Sequence, residues 1–164
     1  DIDTIPYKKN ILNYDTKKGI VKHFFGFDFA LGGIVSINAE DFEKIGGFSN
    51  NWGWGLEDNI LNNRAINNKL FIDRSNFYKI CDKNIIQLRD EDIKIVSKKQ
   101  AARVYENNCD TLFDIKNLKY SIDNEFINVN DFITKFPYEK EIYTSQNKHQ
   151  RSRQIIERKY NCKR

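Results

Sequence analysis

The seven residues Trp52-Gly53-Trp54-Gly55-Leu56-Glu57-Asp58 combine three kinds of group that chemistry on a carbohydrate requires. Indole faces can cover a sugar ring. Glycines let the backbone approach a ligand closely or take positive φ. An acidic pair stands where a helical pattern begins, ready to take or hold a proton. Either tryptophan alone reads equally well as core, and acidic residues commonly open a helix because the positive end of its dipole favours them. The combination is what points to a site. At the start of the chain, Asp1-Ile2-Asp3 places two carboxylates at i and i+2 of an extended segment, where they point the same way. Such a pair can converge on one hard divalent cation and the phosphate oxygens it bridges, since oxygen ligands suit Mg²⁺ and Mn²⁺. Alone, Asp-x-Asp is a common surface pattern; together with the tryptophan–glycine–acid segment it becomes specific.

Positioning these groups calls for a scaffold of short elements. Residues 1–6 read as the end of a strand running into a loop. Gly19 to Phe29 is aromatic and glycine-containing, a strand or buried loop in which His23 reads as core. Ile34-Val35-Ser36-Ile37 is a short apolar strand. Asn38 can cap a helix over Ala39–Ile45, which Gly46-Gly47 would stop. A second helix is expected from Glu57 to Asn67, ended by Asn67-Asn68. Leu70-Phe71-Ile72 and Lys83 to Leu88 read as strands, Ser97 to Asn107 as a helix, and Thr134 to Arg164 as a peripheral helix or loose tail. Short strands alternating with helices imply an α/β sheet with covering helices.

Composition narrows the class. At 164 residues, with 40% hydrophobic content, 12 Phe and 8 Tyr, the chain is globular and long enough for one core. A net charge of +4, with Lys and Arg spread along the body, gives no reason to expect nucleic acid. The basic stretch Lys148 to Arg164 has only Tyr160 interleaved and reads as a solvated helix. No apolar run approaches the ~20 residues of a membrane span. Cys81, Cys109 and Cys162 lack Cys-x-x-Cys spacing, so zinc and a disulfide framework are not expected, and all three read as ordinary thiols. No Asn-x-Ser/Thr sequon occurs. With no methionine and an abrupt start on a motif, the sequence is expected to be a piece of a longer protein.

Asp1 to Pro6, Gly32-Gly33, the run from Asp41 to Asp58, and Asn63-Arg64 resemble the β-1,4-galactosyltransferase family, and more narrowly the C-terminal half of its GT-A catalytic domain. The resemblance fades through Asn117-Leu118-Lys119-Tyr120 and ends near Phe132. It divides the chain into residues 1–132, the C-terminal part of a glycosyltransferase catalytic domain, and 133–164, a polar, basic C-terminal extension. The fold it implies is α/β: a partial GT-A (nucleotide-diphospho-sugar transferase) fold, a mixed sheet with covering helices. The activity it implies is inverting, metal-dependent transfer of a hexose, galactose or N-acetylgalactosamine, from a UDP-sugar to a hydroxyl of a carbohydrate or glycoconjugate acceptor, with Mn²⁺ or Mg²⁺ as cofactor. In the family, preceding strands hold the uracil and ribose, so this segment alone is not expected to be a competent enzyme. A Golgi lumen would suit a eukaryotic secretory-pathway member, the cytoplasm any other.

Residue by residue, the resemblance makes Asp58 the catalytic base and Asp3 the metal ligand. Glu57 and Asp1 match positions that hydrogen-bond donor-sugar hydroxyls. Gly33 matches the glycine whose backbone lies against the sugar, and Trp54 the tryptophan on the mobile loop over donor and acceptor. The sequence also departs from the pattern. A histidine that completes the metal site in the family is replaced by Gln87, and the methionine three residues earlier by Asn84; amide oxygens bind Mn²⁺ more weakly than imidazole. Leu56 stands for a glycine and Asn59 for an acid, both lining the acceptor sugar in the family. A catalytically impaired lectin-like or scaffold relative, and a chondroitin-polymerase-like GT-A enzyme, stay open as alternatives.

Overall fold

In the computed structural model, residues 3–50, 56–88, 94–96, 102–103, 109–136 and 144–146 are described. In chain order the elements are β1 (Thr4–Pro6), β2 (Ile20–Phe25), β3 (Ile34–Ile37), α1 (Ala39–Lys44), α2 (Glu57–Asn67), β4 (Phe71–Asp73), β5 (Ile85–Gln87), β6 (Lys94–Val96), a 3₁₀ turn (Leu112–Asp114), β7 (Lys116–Asp123), β8 (Phe126–Ile133) and β9 (Thr144–Gln146). The architecture is mixed α/β. The central sheet has the order β3-β2-β4, with β2 antiparallel to β3 and parallel to β4. β1 pairs separately with β5, β6 with β9 and β7 with β8, each antiparallel.

The apolar run of β2 earns its central place by feeding two cores. Val21 packs with Leu31, Ile45, Leu61, Ala65 and Leu70, so α1 and α2 cover one side of the sheet. Phe24 and Phe25 pack with Leu12, Ile34, Ile80 and Ile85, which joins β5 and the loop after β1 to the sheet. Both helices follow their expected bounds closely. Asn38 caps α1, its side-chain oxygen accepting from the Glu40 amide at 3.0 Å, and the helix stops at Ile45 before Gly46-Gly47. α2 ends at Asn68, whose side-chain amide donates to the Arg64 carbonyl at 2.9 Å. Its start has no side-chain cap: Leu56 occupies the cap position in a left-handed conformation, φ 60° and ψ 27°.

Local chemistry explains where expectation and structure differ. The strand expected over Lys83–Leu88 is shortened to Ile85–Gln87, because the Asp82 carboxylate accepts from both the backbone and the side-chain amide of Asn84, at 2.8 and 2.9 Å, and fixes a turn there. The β7–β8 hairpin was not expected; Asn124 takes φ 53° in its two-residue turn, the conformation such turns demand. Within the stretch read as a peripheral helix or loose tail, Thr144–Gln146 is instead a strand, tied to β6. Of the helix expected over Ser97–Asn107, all but Ala102 and Arg103 lie outside the described residues. The cysteines are also not all alike: Cys81 is disulfide-bonded and Cys109 is a free thiol.

His23 lies in the core, 1% exposed. Arg74 Nε, which can only donate, sits 3.0 Å from His23 Nδ1, so Nδ1 accepts and the ring proton is assigned to Nε2. From there it is shared between the carbonyls of Phe25 (3.0 Å) and Gly32 (3.1 Å). Burial, and secondarily the Arg74 charge, lower the pKa to about 4. A histidine depressed from its ordinary ~6.5 stabilises the fold fully above pH ~6.5, and that contribution is lost as pH falls toward about 4. Its size is on the order of 3 kcal/mol. Thermal unfolding followed from pH 7.5 to 4 is therefore expected to show a falling midpoint below pH ~6.5. His23→Gln, neutral at every pH, removes that part of the slope; an unchanged slope would assign acid sensitivity to other groups.

Candidate functional site

The turn from β2 to β3 and the start of α2 approach each other unusually closely. Leu31 N donates to the Asp58 carbonyl at 3.0 Å. The side-chain position of Gly32 is filled by the Asp58 carboxylate, whose Oδ2 a Cβ on Gly32 would strike. Gly33 takes φ 72°, and a Cβ there would collide with the Phe25 carbonyl. Only glycine fits either place, for reasons of space at one and of space and conformation at the other. The result is a carboxylate in the first turn of a helix, where the dipole favours its ionised form, held against a bare stretch of main chain.

These groups wall a cavity of about 410 Å³, completed by Thr4, Pro6, Tyr14, Leu31, Ile34, Val35 and Phe48. Thr4 brings β1 to the far side, and its hydroxyl donates to Asp3 Oδ1 at 3.1 Å. Across the β1–β5 ladder, Thr4 stands opposite Gln87, and Leu88 N donates to the Asp3 carbonyl at 2.6 Å. Asp3 and Gln87 are thus neighbours on adjacent strands at one end of that ladder, one register position apart. Asn84 sits at the other end, where its carbonyl accepts from Tyr7 N at 2.7 Å and its amide is turned to Asp82.

Of the residues singled out in the sequence, Gly33 and Asp58 meet in the cavity wall, and Asp3 joins it through Thr4. Glu57 and Asn59 flank Asp58 on the same helical turn, half-buried, and Leu56 precedes them. None of these three belongs to the wall among the described residues. Asp1 and Trp54 lie outside the described residues. Thr4, Tyr14 and Phe48 were not anticipated. Phe48 follows the Gly46-Gly47 stop of α1, a position where an exposed aromatic is worth suspicion. Tyr14 had no local signal: its half-exposed ring is brought in by an edge contact with Phe24, centroids 5.5 Å apart, and by Ser36, whose hydroxyl donates to the Tyr14 carbonyl at 2.6 Å. At the Asp3 end of the ladder the Asp3 carboxylate and the Thr4 hydroxyl are oxygen donors in contact, and no group of three His, Cys, Asp or Glu side chains is assembled among the described residues. No helix among them is long and apolar enough to cross a membrane.

Comparison with known proteins finds galactosyltransferases. Residues 22–87 match a family model described as the N-terminal domain of galactosyltransferase. That description and the resemblance to a C-terminal half agree on the family and differ on the placement. A xylosylprotein 4-beta-galactosyltransferase of Caenorhabditis elegans is 30% identical over 83 residues, 45% of this chain and 29% of that protein. Beta-1,4-galactosyltransferase 4 of Cricetulus griseus is 48% identical over 46 residues, 27% of this chain and 13% of the relative. Beta-1,4-galactosyltransferase 7 of Drosophila melanogaster is 37% identical over 68 residues, 35% and 21% respectively. The chain thus spans less than a third of the length of these curated relatives. No solved structure gives a significant match.

The contact between Gly32 and Asp58 is directly testable. Gly32→Ala puts a methyl where the carboxylate lies, and denaturant unfolding is expected to show a loss of about 1–3 kcal/mol, the usual cost of overpacking. In an Asp58→Ala background the same change is expected to cost much less, because the obstructing atoms are gone. Equal costs in both backgrounds would mean that the two residues do not share this space in solution.

Proposed function

We propose that this chain, whose residues 22–87 match a galactosyltransferase family model and whose relatives are β-1,4-galactosyltransferases, is a member of that family and forms part of an inverting, metal-assisted glycosyltransferase. The enzyme moves a hexose, galactose or N-acetylgalactosamine, from a UDP-sugar to a hydroxyl of a carbohydrate acceptor, using a partial GT-A fold for which the mixed three-stranded sheet and its covering helices are the supporting architecture. The observation that carries the reading is the Asp58 carboxylate in the wall of a cavity whose floor is the Gly32-Gly33 main chain. An acceptor hydroxyl seated there loses its proton to Asp58 as its oxygen bonds to the anomeric carbon. The bond from that carbon to the diphosphate breaks on the opposite side, and UDP leaves with the electron pair. General-base help of this kind is worth about 10²–10⁴ in rate.

The remaining assignments follow the same logic. Gly33 lets the donor sugar lie against the main chain, and Glu57, with Asp1, hydrogen-bonds its hydroxyls. Trp54 covers donor and acceptor. Leu56 narrows the acceptor side, where Asn59 keeps hydrogen bonding without charge. A Mn²⁺ or Mg²⁺ ion would be held by Asp3, whose carboxylate suits such a hard cation, with Gln87, opposite Thr4 across the ladder, and Asn84, whose amide is turned to Asp82, as the weaker candidates. Such an ion supplies neutralisation of the leaving diphosphate. One observation favours a second reading, a catalytically impaired lectin-like relative: an amide stands where the family has a histidine, and the described side chains assemble no three-ligand group.

Kinetics in the full-length protein separate the two. Asp58→Asn keeps the size and the helix start but cannot take a proton, so kcat is expected to fall by about 10²–10⁴ with donor binding nearly unchanged. Loss of UDP-sugar binding with kcat retained would make Asp58 a binding residue. Asp3→Ala is expected to abolish the activity that depends on Mn²⁺ or Mg²⁺; undiminished metal-dependent turnover would remove the metal assignment.

A further inference from the structure

Phe48 stands in the cavity wall, and its neighbours on both sides are tied to other parts of the chain. On one side, Arg64, two turns along α2 from Asp58, reaches across with its guanidinium. Its Nη1 donates to the carbonyls of Gly46 (3.0 Å) and Gly47 (2.6 Å), and its Nη2 to the carbonyl of Asp110. On the other side, Asp110 Oδ1 accepts from the Ser49 hydroxyl and from the Asn50 amide, both at 3.0 Å. Asn50 closes the arrangement by donating its side-chain amide to the Thr111 carbonyl at 3.0 Å. Asp110 is 1% exposed, and its second carboxylate oxygen, Oδ2, is buried without a hydrogen-bond partner among the described residues. An acid kept in the interior with one oxygen unsatisfied costs stability, and groups of this kind are worth a functional explanation.

We infer that Asp110 and Arg64 are positioning residues for the acceptor side of the site. Together they fix the Gly46–Asn50 stem, which carries Phe48 into the cavity wall and leads directly into the tryptophan–glycine segment. The inference rests on the proposed transferase function. A base must lie within hydrogen-bond reach of the hydroxyl it deprotonates, so the acceptor is the substrate that meets Asp58, and Phe48 shares that wall. Among the donor's contacts, Gly33 and the Asp3 end are held by other elements, the β2–β3 turn and the β1–β5 ladder, and Glu57 by the start of α2, which the hydrogen bond from Leu31 N to the Asp58 carbonyl pins without the clamp. Losing the clamp therefore moves acceptor recognition and leaves donor binding in place.

The experiment is steady-state transfer by the full-length protein, with UDP-galactose as donor and the p-nitrophenyl glycoside that the wild type turns over as acceptor. Asp110→Ala is expected to raise the acceptor KM by about fivefold or more, while the dissociation constant for UDP-galactose stays within about twofold. Asp110→Asn, which can still accept from Ser49 and Asn50, restores the acceptor KM; Asp110→Leu, similar in size but unable to accept, does not. Should Asp110→Ala fail to fold, Ser49→Ala removes the hydroxyl that donates to Asp110 and is expected to raise the acceptor KM by about twofold to threefold. A lowered melting temperature with an unchanged acceptor KM in either variant makes the clamp purely structural and overturns the inference. If the wild type binds no UDP-galactose and transfers to no acceptor, the functional reading fails first, and the positioning role with it.

Discussion

Where Gly32 would carry a Cβ, the Asp58 carboxylate lies instead, and a few ångströms away the Leu31 amide donates to the Asp58 carbonyl. Side chain and main chain of one acid are thus both referenced to the same turn. That turn is in turn held from behind: His23 donates to the Gly32 carbonyl, and Leu31 is sealed among Val21, Leu61 and Ala65. Helix α2 cannot slide along the sheet without breaking this contact, so every residue it carries inherits the registration. Arg64 reaches the Gly46-Gly47 carbonyls only because the helix start is pinned two turns earlier.

The chain's positive and titratable groups near the site serve the scaffold. Arg64 satisfies three main-chain carbonyls, and Arg74 holds the tautomer of His23. A guanidinium does not lose its proton in any ordinary range, and His23 is kept neutral well below neutrality. The frame around the cavity therefore does not titrate near pH 7.

How much of this could be read in the sequence depended on how local each signal is. The bounds of α2 and the Asn38 cap of α1 were legible because capping and termination are decided by residues a few positions apart. β2 and β3 were legible because burial makes their runs apolar. The β7–β8 hairpin was not: both strands are exposed on both faces, so no burial pattern marks them, and only the Asn124 turn hinted at it. At the cavity, Gly33 and Asp58 were singled out through the family resemblance, whereas Thr4 and Tyr14 arrive through pairing and packing that no short window contains. The Asp82–Asn84 turn is the opposite lesson, since its chemistry was local and overlooked.

Leu56 combines two physical effects at one position. A leucine held at φ 60° carries backbone strain of roughly 1–2 kcal/mol that glycine would not. Replacing it by glycine would relieve that strain. If the side chain narrows the acceptor side as proposed, the same change would also widen what the enzyme accepts. At this one position, backbone ease and the shape of the pocket would then pull in opposite directions.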